Sequence, residues 1–328
     1  MNIEIQKLNK KAEEYSKIIN RIEKEISKTI VGQEEIIKKF LIGLVSNGHI
    51  LIEGVPGLAK TLLVKTLSDT INADFVRLQF TPDLLPADII GTKIYEHEKG
   101  NFKVIKGPIF ANFILADEIN RASAKVQSAL LEAMQERQVS IQGETFKINE
   151  PFMVLATQNP IESEGTYKLP EAQIDRFMFK LLISYPNIEQ EQEIIKRFTE
   201  NVIIKTEKIT DYNKIIEIQK FNQNIYADEK IKKYVSEIVD ATRNPQKYKI
   251  DVDSHIEYGA SPRASLWLIL AAKANALING RGYVKPEDVQ EIAFDVLRHR
   301  IILTYEAEAE DITTDEIIKK VLDKIKIP

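Results

Sequence analysis

The sequence predicts an α/β protein: a parallel five-stranded sheet with helices on both faces, followed by an all-α second domain. Three observations carry this. Five short apolar runs alternate with helical patterns, the first run ends in a glycine-rich turn, and the strand signal fades beyond Tyr185-Pro186. Strands separated by helices argue for a parallel sheet, because each crossover lays a helix on one face or the other.

Taken in order, residues 3–26 read as one helix. Ile5, Leu8, Ala12, Tyr15, Ile19, Ile22 and Ile26 recur at three- and four-residue steps with charges between them, an amphipathic stripe. A coiled-coil arm and a helix laid on the main domain share that pattern, and packing is the favoured reading. The strands are His49–Glu53, Asp74–Leu78, Ala111–Ala116, Phe152–Thr157 and Phe177–Ile183. Helical patterns follow at about 188–200, 211–223 and 229–242. Ser261-Pro262 opens another, with serine as N-cap and proline in the first turn, and Lys285-Pro286-Glu287-Asp288 and Thr313 open the last two. The expected division is an N-terminal amphipathic helix over 1–28, an α/β core over 29–186 and a helical domain over 187–328.

The chain has 328 residues, 44% apolar and 29% charged, with a net charge of -4. That is an ordinary globular composition, and it supplies no general basic field for nucleic acid. There are no cysteines, which removes disulfides, thiolate metal sites and thiol nucleophiles together. The four histidines are scattered without an i, i+4 pair, so a histidine metal site is not expected. Met1-Asn2-Ile3-Glu4-Ile5 lacks a basic and then apolar leader. The most apolar helical stretch, 264–278, is shorter than a membrane span and broken by Lys273 and Asn275. A cytoplasmic setting without a membrane span is the expectation.

The chemistry begins at Gly54-Val55-Pro56-Gly57-Leu58-Ala59-Lys60-Thr61, which follows a strand and opens a helix that continues with Leu62. Such a loop curls its backbone N–H groups around phosphates at the positive end of a helix. Lys60 would reach the β- and γ-phosphates and Thr61 would ligate Mg²⁺. Ala59 stands where a second glycine is usual, which is tolerable if the residue already has helical backbone angles. Without its context this could be a glycine turn before a chance Lys-Thr.

Phe113-Ile114-Leu115-Ala116-Asp117-Glu118 is an apolar strand ending in two carboxylates. Asp117 is placed to hold Mg²⁺ and Glu118 to act as general base on the attacking water. Asn159, at the end of the next strand, could orient that water or touch the γ-phosphate. Arg176, beside Asp175, reads on spacing alone as a surface ion pair, though an arginine could also serve a neighbouring subunit. Arg263 sits in the first turn of a helix, where a cation is disfavoured, so a phosphate partner would explain it.

These residues resemble the MoxR-type AAA+ ATPases, whose phosphate loops share the alanine before the lysine. The likeness continues through residues 78–88, Lys106-Gly107-Pro108-Ile109-Phe110, Leu115–Ala122, Ala156-Thr157-Gln158-Asn159-Pro160 and Asp175-Arg176-Phe177. It resumes at Gly259–Ala264 and Arg298-His299-Arg300. The resemblance implies an AAA+ P-loop NTPase core with strand order 5-1-4-3-2, a helical lid, and ring oligomers, most often hexamers. It implies ATP and Mg²⁺ as ligands, Asn159 as sensor 1, Arg176 as arginine finger and Arg263 as sensor 2. It places adenine against Ile30-Val31-Gly32-Gln33, so Val31 and Gly32 join residues 54–62 as expected nucleotide contacts. It also implies an insertion at about 82–108 and a hairpin of Arg137–Ile141 with Thr145–Asn149, turning through Gln142-Gly143-Glu144. A protein client and a partner with a von Willebrand factor A domain are further implications. Related branches include nucleic-acid motors and magnesium chelatase subunits. The acidic balance and the few cations of the hairpin argue against the first, and Ala59 with the lid motifs against the second. A non-catalytic scaffold gated by nucleotide is the remaining alternative.

Overall fold

Each of the five apolar runs forms a strand in a computed structural model, which describes residues 3–54, 57–98, 100–159, 167–200 and 205–328. The strands in chain order are β1 (Ile50–Glu53), β2 (Phe75–Gln79), β3 (Gly91–Glu96), β4 (Asn101–Lys106), β5 (Phe113–Asp117), β6 (Gln138–Ile141), β7 (Glu144–Lys147), β8 (Met153–Gln158) and β9 (Phe179–Leu182). The main sheet has the order β2-β5-β8-β1-β9, which is 5-1-4-3-2 when the five core strands are counted alone. β2 with β5, β5 with β8 and β8 with β1 are all parallel.

The helices that matter for the site are α1 (Ile3–Thr29), α2 (Glu34–Val45), α3 (Lys60–Thr70), α4 (Pro86–Ile90), α5 (Ala124–Glu136), α6 (Glu171–Ile174) and α7 (Ile188–Thr199). Alternate residues of the sheet point to opposite faces. Leu51, Ile114, Ala116, Val154 and Ala156 share a buried cluster with Val126 and Leu130 of α5. On the other face α2 comes so close that a Cβ on Gly43 would meet Ile50 at 2.8 Å and Met153 at 3.1 Å. Both faces are therefore covered, which is why these strands read as continuous apolar runs.

The two expected insertions are present. In the first, α4 (Pro86–Ile90) leads into β3, which pairs antiparallel with β4, and β6 pairs with β7 in a second hairpin. The turn of that second hairpin differs from expectation. Glu144 pairs with Ile141, leaving only Gln142 and Gly143 in the loop, with φ of 45° and 88°. Two left-handed residues make the tight turn whose twist matches the strands.

The chain divides into two compact units, Arg21–Phe177 with Leu181–Glu217, and Met1–Asn20 with Met178–Lys180 and Ile218–Pro328. The second is helical, with the end of α8 (Tyr212–Asn222) from Ile218 onward, and with α9 (Glu229–Arg243), α10 (Pro262–Ile278), α11 (Pro286–Leu297), α12 (Tyr305–Ala309) and α13 (Thr314–Lys324), plus a short antiparallel ladder of Ile256–Tyr258 with Ile302–Leu303. Inside it Arg281 grips Asp288 through two nitrogens at 2.8 and 2.6 Å, and Asn275 adds a third donor at 3.2 Å. The α1 stripe is buried: Ala12, Tyr15, Ile19, Ile22 and Ile26 are at most 1% exposed. Within the helical unit Ser16 donates to the Ile278 carbonyl at 2.6 Å. Within the sheet unit Glu25 accepts the Glu207 N–H at 3.0 Å.

Candidate functional site

Parallel registers bring the carboxyl ends of four strands together. Glu53 of β1 lies beside Gln158 of β8, Ala116 of β5 beside Ala156, and Gln79 of β2 beside Asp117. Ligands of open α/β sheets bind beyond those ends. The loop after β1 turns at Gly54, where a Cβ would lie 2.7 Å from the Ile183 carbonyl oxygen. Gly57 has φ 87°, open only to glycine without strain. Val55 and Pro56 lie outside the described residues, as does Pro160.

Ala59 corrects one expectation. It is the N-cap of α3 with φ 53° and ψ 22°, in the left-handed region, whereas the sequence reading supposed helical backbone angles. The chain is still curling there and enters the helix only at Lys60. An alanine in this conformation costs about 1–2 kcal/mol relative to right-handed backbone. Lys60 folds back over its own loop, its Nζ donating to the Gly54 carbonyl at 2.9 Å. Burial pushes its pKa down, and the charges of Asp117 and Glu118 oppose that shift.

The two carboxylates are held by a residue to which the sequence reading gave no role. The Thr157 hydroxyl donates to Asp117 Oδ1 at 2.7 Å and accepts the Glu118 N–H at 2.8 Å. Glu118 itself has φ 56° and ψ 52°, so the bend that turns its side chain away from the strand is left-handed. Gln79 Nε2 and Arg121 Nε both reach Glu118 Oε2, at 2.8 and 2.9 Å. Arg77 donates to Asp117 Oδ2 through Nε at 3.1 Å and Nη2 at 2.5 Å. Thr157, Arg77 and Gln79 were missed because their role depends on which strands are neighbours. The available signal was polar residues at i and i+2 of β2, beside the strand that carries the acids.

A cavity of about 860 Å³ gathers these groups, a size suited to a nucleotide-sized ligand. Its walls include Gly54, Gly57, Leu58, Ala59, Lys60, Thr61 and Leu62, with Asp117, Glu118, Asn159, Arg77 and Gln79. Ile30, Val31, Tyr185, Pro186 and Ile194 supply an apolar and aromatic part of the same wall. Gly32 is not among the walls. It makes the adjoining turn at φ 71°, with Gln190 packed where a Cβ would be. Arg176 follows α6 and is also outside the walls. Its Nε is buried without a hydrogen-bond partner among the described residues. Arg263 belongs to the helical unit, in the first turn of α10, where its N–H donates to the Ser261 hydroxyl at 3.2 Å.

Comparison with known proteins agrees with this architecture. Residues 49–179 match the ATPase family associated with various cellular activities (AAA), and residues 249–321 match the AAA lid domain. Chaperone MoxR1 of Mycobacterium tuberculosis is 50% identical over 305 residues, covering 93% of this chain and 81% of its own. Protein MoxR of Methylorubrum extorquens is 30% identical over 327 residues, covering 94% of each. A crystal structure of a Cytophaga hutchinsonii protein assigned as an ATPase superposes with a TM-score of 0.92 at 51% identity over the whole of both chains. Fold, cavity and matches together define an AAA-type ATPase core with its lid. Within that class the chain belongs to the MoxR family of chaperone-like AAA+ ATPases. Among the described residues no helix is long and apolar enough to cross a membrane.

Proposed function

We propose that the cavity binds Mg-ATP and hydrolyses it, and that hydrolysis drives the remodelling or maturation of a client protein in the cytoplasm. The observation that carries this reading is the convergence of the Lys60 ammonium, the Thr61 hydroxyl and the Thr157-bridged acids Asp117 and Glu118 on one cavity. Hard oxygen donors of this kind suit magnesium, and Thr61 and Asp117 are the residues that would hold it. When bound, the ion neutralises charge on the β- and γ-phosphates.

Each residue then has a task. The loop N–H groups and Lys60 hold the phosphates, and Ile30 and Val31 offer the base an apolar surface. Glu118 accepts the proton of the attacking water, and Asn159 orients that water against the γ-phosphate. Arg176 of a neighbouring subunit in a hexameric ring, and Arg263 of the lid, offset charge in the transition state. Residues 29–186 serve as core and 187–328 as lid, and a protein with a von Willebrand factor A domain is the partner class the family suggests. The MoxR1 relative is named a chaperone, which supports a protein client over nucleic acid.

Glu118→Gln tests the reading. It should keep ATP affinity while turnover falls roughly 10²–10⁴-fold, the usual weight of general base catalysis. Held in that state, the variant should retain a client protein in a pull-down. Parental turnover in Glu118→Gln sinks the assignment of the base.

A further inference from the structure

Arg77 stands mid-way along the edge strand β2, outside every motif of the sequence, yet its side chain forms part of the cavity wall. Although the side chain is half exposed, two of its donors converge on one oxygen, Asp117 Oδ2. Nη2 also donates to Gln79 Oε1 at 3.1 Å, which fixes the plane of the guanidinium. The second oxygen of Asp117 already accepts the Thr157 hydroxyl. Both oxygens of this carboxylate are thus engaged by the protein.

A guanidinium stays charged at any working pH. Its charge disfavours a divalent cation on Oδ2, because two positive centres a few ångströms apart repel. Displacing Arg77 returns it to solvent at little cost, since exposed ion pairs are weak. The barrier is therefore modest and can be overcome by additional metal ligands, such as the phosphate oxygens of a nucleotide.

We propose that Arg77 is a counter-cation that competes with divalent metal for Asp117, so that the site rejects free metal and accepts it as a metal–nucleotide complex. The inference rests on the reading of Asp117 as the metal carboxylate. Arg77 acts here as a positioning residue through Asp117.

The test uses the full chain and Mn²⁺ alone, with free Mn²⁺ followed by electron paramagnetic resonance. Arg77→Met should tighten Mn²⁺ binding on the order of tenfold in the absence of nucleotide, about 1.4 kcal/mol. With ATP present the gain should shrink to less than about threefold, since the phosphates then supply ligands. Arg77→Lys keeps the charge and should stay near the parent. Arg77→Gln repeats the neutral substitution with a shorter polar side chain should methionine disturb the strand. If neither neutral variant binds free Mn²⁺ more tightly than the parent, the counter-cation proposal is wrong. Adding Asp117→Asn to Arg77→Met should abolish the gained binding. If it does not, the metal sits elsewhere, and the assignment of Asp117 falls together with the proposal.

Discussion

Thr157 stands between the two acids of the site, its hydroxyl donating to Asp117 Oδ1 at 2.7 Å while accepting the backbone N–H of Glu118 at 2.8 Å. One buried oxygen thereby fixes both the rotamer of the aspartate and the left-handed turn that aims the glutamate.

Thr157→Val removes that oxygen with almost no change of shape. The Glu118 N–H loses its partner, so the variant should lose about 1–3 kcal/mol of stability. Turnover should fall at least about tenfold, because the loss disturbs the orientation of both acids. Urea unfolding and steady-state phosphate release check the two effects. Destabilisation with undiminished turnover would show that the bridge is structural only.

His49 sets a pH dependence. Its Nδ1 accepts the Val154 N–H at 3.0 Å, which leaves Nε2 to donate to the Met134 carbonyl at 3.2 Å. Burial holds its pKa well below the ordinary value, with the Arg137 charge as a second cause. Below about pH 6.5 the unfolded chain takes up a proton at this residue that the folded chain does not. Stability from this residue is thus complete above that pH and declines as pH falls, by about 1.4 kcal/mol per unit. His49→Gln should flatten that part of the slope in urea unfolding at pH 7, 6 and 5. Parallel curves for parent and variant would mean the folded protein protonates His49 after all.

Ala59 tests the backbone of the loop. Ala59→Gly relieves left-handed strain but gains freedom when unfolded, so its stability should remain within about 1 kcal/mol of the parent. Ala59→Val places a branched Cβ at positive φ and should cost about 1–3 kcal/mol more than alanine. It should also weaken nucleotide binding. Thermal unfolding and a fluorescent ATP analogue report both. A valine variant that matches the parent would exclude a left-handed residue 59.

Arg176 tests assembly. If Arg176 serves as an arginine finger, Arg176→Ala should leave ATP binding nearly intact and reduce turnover by about 10³-fold or more. Mixing it with Glu118→Gln subunits should restore part of the activity, because each variant supplies what the other lacks. Normal hydrolysis by Arg176→Ala alone would remove the trans assignment.

The secondary structure was legible to a degree that varies with how local its cause is. The apolar runs ending at Glu53, Ala116 and Thr157 were visible because strands buried on both faces need continuous apolar side chains, and the last two strands run one residue further, to Asp117 and Gln158. The α1 stripe was visible because packing selects one helix face. Strand order came only from family resemblance, as did the expectation of a ring. The turn of the β6–β7 hairpin was misjudged by one residue, since Gln142 as well as Gly143 adopts the left-handed region.

By itself, then, the sequence determined the strands, the phosphate loop with Lys60 and Thr61, and the acids Asp117 and Glu118. Those features arise from periodicity and from backbone freedom within a few residues. The tertiary structure alone decided that Thr157 bridges the acids, that Arg77 lies on Asp117, and that Ala59 bends left-handed. The first two join residues 40 apart in the chain, and only the lateral pairing of β2, β5 and β8 brings them within hydrogen-bond reach. The third depends on where the loop must end to begin α3. The phosphate loop named the chemistry, and the neighbouring strands decided how its carboxylates are held.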